Sequence, residues 1–160
     1  MEILDRPAPP KGLGRTLARL PVHLYRMHLG RLMGGRFLLL EHIGRKSGRP
    51  RQVVLEVVEH PEDGYIVCSG FGPKADWYRN VLAHPEVTIQ VGRHRKDVTA
   101  HQLTPAEGGE IMARYAPRHP KAAARLVRLM GFSVDGTADD YRRVGRELPF
   151  LRLSPRASRD

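Results

Sequence analysis

The fold is decided by residues 37–58, which read FLLLEHIGRKSGRPRQVVLEVV. Two apolar runs, Phe37–Ile43 and Gln52–Val58, flank a turn that contains two glycines, a serine and a proline. Apolar runs rich in β-branched residues and bounded by turn residues are typical of strands joined in a hairpin. We therefore expect an antiparallel hairpin here, the first part of a larger sheet.

Segments further along the chain predict more strands, followed by helices. Strands are predicted at Tyr65–Ser69, Val87–Val91, Asp97–Leu103 and Leu148–Leu153, with a basic turn at Gly92–Arg95. Helix starts are predicted near Asp76, at Thr104 with Glu107 as a capping box, near Pro120 and after Thr137. This order indicates an α+β protein. A small β-barrel with peripheral helices is favoured because closure protects the sheet edges.

The N-terminal region has a different character from this body. Residues 1–12 are rich in proline and predicted to be irregular, whereas 13–34 predict an amphipathic helix with arginines opposite its apolar face. Such a helix covers a sheet or rests on an anionic membrane surface, and the sequence leaves both open. Residues 36–154 are expected to form the barrel body and 155–160 a frayed tail, so that 1–160 make one domain.

Composition restricts the class of protein. Lysine and arginine number 27 against 17 acidic residues, a net charge of +10, which favours a phosphorylated or polyanionic partner. The N-terminus lacks the pattern of a signal peptide, and no run suits a membrane span. Cys68 is the only cysteine, which excludes an internal disulfide, and the eight histidines lack metal-site spacing. A cytoplasmic protein without metal is expected, with membrane association through the N-terminal helix as the alternative.

The hairpin turn Gly44–Arg51, GRKSGRPR, is the segment richest in chemistry. Its glycines allow backbone N–H groups to point at an anion, and Ser47 adds a hydroxyl donor. Arg45 and Arg51 can fork onto phosphate oxygens, while Lys46 supplies a mobile point charge. The turn predicts a phosphate site, and the competing interpretation is a solvated basic turn.

A second informative segment is Ser69–Asn80, SGFGPKADWYRN. Its glycines let the backbone approach a planar ring, and Asn80 offers a polar contact. Trp77 and Tyr78 open a helix, where an aromatic pair usually packs into the core, and contact with a ligand is the alternative. Cys68, within an apolar strand, is interpreted as a buried and inert thiol.

Together, G-R-K-S-G-x-P-R, W-Y-x-N and the following His-Pro-x-Val strand resemble the small deazaflavin-dependent nitroreductase and quinone reductase family. The resemblance runs from about Phe37 to Leu103 and implies a split β-barrel like that of the FMN-binding split-barrel proteins. It also implies an oxidoreductase that uses coenzyme F420. Hydride would pass from the reduced deazaflavin to a quinone, nitro or other electron-poor unsaturated substrate.

The resemblance further implies which residues form the site. The cofactor phosphate and tail are assigned to Arg45, Lys46, Ser47, Gly48 and Arg51. The ring is assigned to Val53, Val54, Cys68, Ser69 and Gly70, with Trp77 and Asn80 closing the site. Glu56 and Tyr115 are assigned to the substrate side. No catalytic side chain is required, because the cofactor carries the hydride. Glu56 departs from the tyrosine of the nitroreductases, so cofactor binding is better supported than nitro reduction.

Other functions stay open at this level. The same barrel could hold FMN, heme or an acyl ligand. A basic nucleic-acid-binding module is disfavoured, because the four phenylalanines and five tyrosines do not align on one strand as a stacking platform. Split barrels commonly pair to complete their sites, so a homodimer that acts on a small molecule is expected.

Overall fold

The computed structural model describes residues 2–3, 36–70, 72–129 and 131–156. The strands in these ranges are β1 (Glu2–Ile3), β2 (Phe37–Ile43), β3 (Pro50–Glu56), β4 (Tyr65–Cys68), β5 (Glu86–Val91), β6 (His94–Gln102), β7 (Phe132–Ser133) and β8 (Phe150–Pro155). The helices are α1 (Asp76–Ala83), α2 (Pro105–Arg118), α3 (Pro120–Leu129) and α4 (Ala138–Arg146). The protein is α+β with a curled antiparallel sheet, which confirms the predicted class at that level.

The predicted hairpin is β2 paired antiparallel with β3, from Phe37 opposite Glu56 to Ile43 opposite Pro50. The bounds of β2 are those predicted, whereas β3 begins and ends two residues earlier than predicted. The cause lies at both ends of the strand. Ile43 pairs with Pro50 directly after the turn, and the amide of Val58 already donates to Ile66 O, 2.8 Å away.

Other boundaries also differ from prediction, and β8 begins and ends two residues later than the predicted Leu148–Leu153. The turn between β5 and β6 contains only Gly92 and Arg93, because His94 pairs with Val91 inside the sheet. The expected irregular N-terminus includes a short strand, since Glu2–Ile3 pairs antiparallel with Phe132–Ser133. A two-residue strand carries no period that a sequence pattern could reveal.

The larger sheet has the strand order β3-β2-β5-β6-β8-β4. Most of it belongs to the first of two compact units, which comprises residues 36–67, 76–101 and 151–156. Three successive leucines of β2 are at most 2% exposed, so both faces of this strand are covered. The other buried apolar residues of the unit include Leu55, Val67, Val81, Val87, Ile89, Val98, Leu151 and Leu153.

The remaining described residues form a second unit that contains α2, α3 and α4. The predicted capping box is present at the start of α2, where Thr104 and Glu107 exchange hydrogen bonds. Thr137 likewise caps α4 by accepting from Asp140 N. The core of the unit is formed by buried Ile111, Met112, Tyr115, Val127, Phe132, Val144 and Phe150.

The predicted N-terminal helix at 13–34 and most of the predicted tail lie outside the described residues. The prediction of one domain stays a prediction, beside the two compact units. Among the helices of the described ranges, none has the length and apolar character needed to cross a bilayer.

Close packing between α2 and α4 depends on glycine, and this gives a first testable prediction. A Cβ at Gly145 would lie 2.7 Å from the Met112 Cβ and 2.8 Å from the Gly109 Cα. We expect Gly145→Ala to lower the free energy of unfolding by about 1–3 kcal/mol, because the helices must move apart. Urea unfolding followed by circular dichroism measures this. Gly70→Ala is the matched control, since nothing lies within 4 Å of a Cβ there; equal losses would contradict the packing argument.

Candidate anion-binding site

The basic turn between β2 and β3 is closed by its own backbone. Gly44 N donates to Arg49 O at 2.9 Å, and Gly48 N donates to Gly44 O at 2.8 Å. Gly48 has φ +69°, a left-handed conformation that a side chain disfavours. Ser47 Oγ accepts from Arg49 N at 3.2 Å, which leaves the hydroxyl hydrogen able to donate outward. The turn is therefore a compact loop with a defined shape.

Three cations of the turn are exposed: Lys46, Arg49 and Arg51. Within the part of the chain that the structure describes, none of them forms an ion pair. The neighbouring acids are held by other arginines, because Glu41 pairs with Arg95 at 2.9 Å and Asp76 pairs with Arg45 at 3.2 Å. The turn consequently presents a concentrated positive charge to solvent, which suits a phosphate or a carboxylate tail.

The fourth cation, Arg45, is directed into the protein. Its Nη1 donates to Asn80 Oδ1 at 2.8 Å, and its backbone N donates to the same oxygen at 3.0 Å. Its Nη2 donates to Asp76 Oδ1 at 3.2 Å. Arg45 thus connects the turn to helix α1, instead of standing free to fork onto a phosphate.

His42 completes this network from β2. Asn80 Nδ2 lies 3.2 Å from His42 Nδ1, and both residues are 5% exposed. Since Asn80 Oδ1 faces the donors of Arg45, its NH2 group must face His42. Nδ1 of His42 is then the acceptor, and the neutral ring carries its proton on Nε2.

The surroundings keep His42 neutral. Burial, and after it the charge of Arg51, lowers the pKa of His42 to about 4, against a smaller opposing effect of Asp76. Arg51 lies directly opposite His42 on the neighbouring strand. The imidazole therefore acts as a hydrogen-bond acceptor at neutral pH.

Strand β3 carries three further predicted site residues, Val53, Val54 and Glu56. Successive side chains of a strand point to opposite faces, so Val53 shares the face of Arg51, and Val54 lies on the other face. Val54 packs against Leu39. Glu56, at the end of the strand, forms an ion pair with Arg36, and its Oε1 lies 3.7 Å from Arg36 Nη2. The two valines therefore cannot both turn their side chains to one ligand.

The predicted ring-lining residues Cys68, Ser69 and Gly70 lie in the other compact unit, at the end of β4 and in the loop after it. Cys68 is half-buried and reduced. Ser69 is fully buried, and its hydroxyl donates to Gly72 O at 2.6 Å. The Ser69 side chain thus has a structural partner within its own loop. Contact of these residues with a cofactor ring stays a prediction.

The predicted aromatic residues differ in burial. Trp77, in the first turn of α1, is half-buried and packs edge-on against Tyr78 at 5.9 Å between ring centroids. Tyr115 is 2% exposed, and its ring centre lies 5.1 Å from that of His119. A role of Tyr115 on the substrate side stays a prediction, and its burial in the helical unit does not favour it.

Sequence reasoning did not assign His42, Arg49 or Asp76 to the site, although all three lie in or beside the turn. The alternation of β2 gave a signal for His42, because it shares a face with Leu38 and Leu40. No group of three or more histidine, cysteine or acidic side chains within the described ranges could hold a metal ion.

Comparison with known proteins defines the class. Residues 17–148 match the family model described as F420H(2)-dependent quinone reductase. The chain is 31% identical over 153 residues to the F420H(2)-dependent quinone reductase Rv1261c of Mycobacterium tuberculosis. That alignment covers 90% of this chain and 93% of the relative.

Solved structures share the fold. One is described as an F420-H2 dependent reductase, FDR-A, with 24% identity, a TM-score of 0.52, and coverage of 74% of this chain and 94% of that one. Another is described as a domain-swapped dimer, with 23% identity, a TM-score of 0.53, and coverage of 84% and 99%.

The sheet, the helices and the basic turn are thus those of a small deazaflavin-dependent oxidoreductase. The chain belongs to the F420H2-dependent quinone reductase family. Since the family depends on F420H2, coenzyme F420 is the cofactor, and the predicted family, enzyme class and cofactor are confirmed.

The buried imidazole predicts a defined pH dependence of stability. Unfolded His42 binds a proton near pH 6.5, and the folded residue binds one only near pH 4. Between these values the unfolded state binds more protons. Stability should therefore be complete above about pH 6.5 and should fall by roughly 3 kcal/mol as the pH drops through 4. At pH 5 about 2 kcal/mol of this should already be lost, and urea unfolding at about pH 7 and about pH 5 measures that loss.

His42→Leu is the reference for that measurement, because other groups also titrate in the acid range. The difference in stability between the natural protein and the variant should shrink as the pH falls. A difference independent of pH would mean that His42 titrates normally in the fold.

Proposed function

We propose that this chain binds reduced coenzyme F420 through the basic turn and transfers a hydride to a quinone. The observation that carries the proposal is the group of three exposed cations, Lys46, Arg49 and Arg51, on a turn of fixed shape. Coenzyme F420, when bound and reduced, supplies the hydride. The residues of the chain hold the cofactor and orient it toward the acceptor.

The residues present fit an anionic cofactor on two independent grounds. The carboxylates of Glu41 and Asp76 are engaged by Arg95 and Arg45, so they do not neutralise the exposed cations of the turn. The left-handed Gly48 and the hydroxyl of Ser47 add polar groups at the same place. Arg51 and Arg49 provide forked donors, and Lys46 provides a flexible charge able to follow an extended acidic tail.

Among the cations of the turn, the assignment differs from the sequence-based one for two residues. Arg49 joins the anion site because it is exposed and lies between Ser47 and Arg51. Arg45 instead stabilises the turn, because its guanidinium group donates hydrogen bonds to Asp76 and Asn80 of helix α1. The four turn cations therefore divide into three that meet the ligand and one that holds the turn.

The ring and substrate sides of the site rest on the family resemblance. We propose that Val53 or Val54, Cys68, Ser69 and Gly70 approach the deazaflavin, with Trp77 at the edge of the site. Ser69 would contribute through its backbone, because its hydroxyl is bonded to Gly72 O. Glu56 and Tyr115 are proposed for the substrate side, and a quinone is preferred to a nitro compound because the family acts on quinones.

Two properties of the whole molecule extend the proposal. The sheet is proposed to complete a split barrel, and two copies are proposed to associate as a homodimer. The related structure described as a domain-swapped dimer supports pairing. A cytoplasmic location is proposed from the sequence, and contact of the N-terminal helix with an anionic membrane stays an expectation. Sedimentation at micromolar concentration tests the dimer, and a single monomeric species would contradict it.

Removal of two turn cations provides the direct test of the cofactor site. Lys46→Ala combined with Arg51→Ala should raise the Kd for F420 at least tenfold, because each charge-assisted hydrogen bond contributes about 1.5–3 kcal/mol. The circular dichroism spectrum and Tm should stay close to those of the natural protein, since both side chains are exposed. Fluorescence titration with F420, and with FMN in parallel, measures the affinities.

Arg93→Ala is the control for the loss of one positive charge. Its Kd for F420 is compared with that of the single variant Lys46→Ala. Arg93 is an exposed cation in the β5–β6 turn, at the end of the sheet away from the basic turn. Its removal should change the Kd less than about twofold, because salt screens charges more than about 8 Å apart. Unchanged affinity in the double variant would place the phosphate elsewhere. Binding of FMN but not F420 by the natural protein would refute the proposed function.

A further inference from the structure

We infer that Asn80 is a positioning residue of the basic turn, which locks Arg45 in place and does not itself contact the cofactor. The inference depends on the proposed function for the identity of the ligand. The geometry that supports it does not depend on any ligand, and this separates its test from that of the proposed function.

The contacts of Asn80 show why a direct role in binding is unfavourable. The residue is 5% exposed on the inner side of α1. Its Oδ1 already accepts two hydrogen bonds from Arg45, one from the backbone and one from the guanidinium group. An amide oxygen has two lone pairs, so no acceptor capacity is left for a further partner. Its nitrogen faces His42 at 3.2 Å.

The orientation of the amide is fixed chemically from both sides. The groups of Arg45 are donors only, so the oxygen must face them, and the neutral imidazole of His42 must accept from the nitrogen. The charges that face His42 are Arg51 from β3 and Asp76 from α1. A reversed amide would place donor against donor at Arg45, and one buried group would lose its partner.

The hydrogen bonds of Asn80 to Arg45 and His42 fix the start of the turn. The bond from the Arg45 backbone N to Asn80 fixes the second residue of the turn, and the bonds at Gly44 and Gly48 close the rest. The exposed cations that follow Arg45 are thereby held in one arrangement before a ligand arrives. Such preorganisation raises affinity because less chain entropy is lost on binding.

A double-mutant cycle on F420 affinity distinguishes positioning from direct contact. Asn80→Ala and Arg45→Ala should each raise the Kd about tenfold, and the combined variant should be no weaker than Arg45→Ala alone within about twofold. Losses that multiply in the combined variant would mean that Asn80 contributes independently of Arg45, and the inference would be wrong. Failure of the natural protein to bind F420 would instead contradict the proposed function.

The second measurement uses the protein without cofactor. Hydrogen exchange at about pH 7 should show that Asn80→Leu lowers the protection of the Gly44 and Gly48 amides at least about tenfold. Asn80→Asp keeps the oxygen that Arg45 needs, so it should retain most of that protection. Leu82→Ala, an exposed apolar residue of the same helix, is the control and should leave the turn unchanged.

Nitrogen NMR of His42 provides the spectroscopic signature. The shifts should show an unprotonated Nδ1 and a protonated Nε2 in the natural protein at neutral pH. Asn80→Asp should place a proton on Nδ1, because a carboxylate beside that nitrogen accepts its hydrogen bond and favours the doubly protonated ring. A proton on Nδ1 in the natural protein, or unchanged turn protection in Asn80→Leu, would overturn the inference.

Discussion

A buried side-chain amide is satisfied in only one orientation, and the functional region of this protein depends on one such amide. Asn80 belongs to helix α1, and its side chain forms hydrogen bonds to Arg45 in the basic turn and to His42 in strand β2. Each partner has a single chemical role: the groups of Arg45 can only donate, and neutral His42 must accept. An exposed, flexible-looking loop therefore has its conformation specified from inside the protein. This also explains why one arginine of the proposed phosphate-binding turn points away from the solvent.

The hairpin that carries the turn is itself specified by burial. Strand β2 is covered on both faces, since Leu38, Leu39 and Leu40 are almost inaccessible. A shift of one residue in the pairing of β2 with β3 would bring Arg51 out of register with His42 and would invert the faces of β3. The short turn, with Ile43 opposite Pro50, makes such a shift costly. The same register that builds the core therefore places the cations of the turn beside the side-chain amide of Asn80.

The sequence predicted those features whose physical cause is local. The bounds of β2, the capping box at Thr104 and the cap at Thr137 follow from neighbouring residues, and all are present. The cations of the turn were recognisable for the same reason. The different role of Arg45 was not predictable, because it depends on Asp76 and Asn80, more than 30 residues away. The start of β3 was missed because the length of the turn decides it, and the pairing of Glu2–Ile3 has no local pattern.

The division of the basic turn into a supporting arginine and exposed cations has an evolutionary consequence. Lys46, Arg49 and Arg51 are exposed, so we expect substitutions there to cost little stability. Arg45 and Asn80 are constrained together, because either one alone leaves a buried polar group without its partner. Among proteins that share this scaffold we therefore expect the three exposed cations to vary more than the pair Arg45 and Asn80.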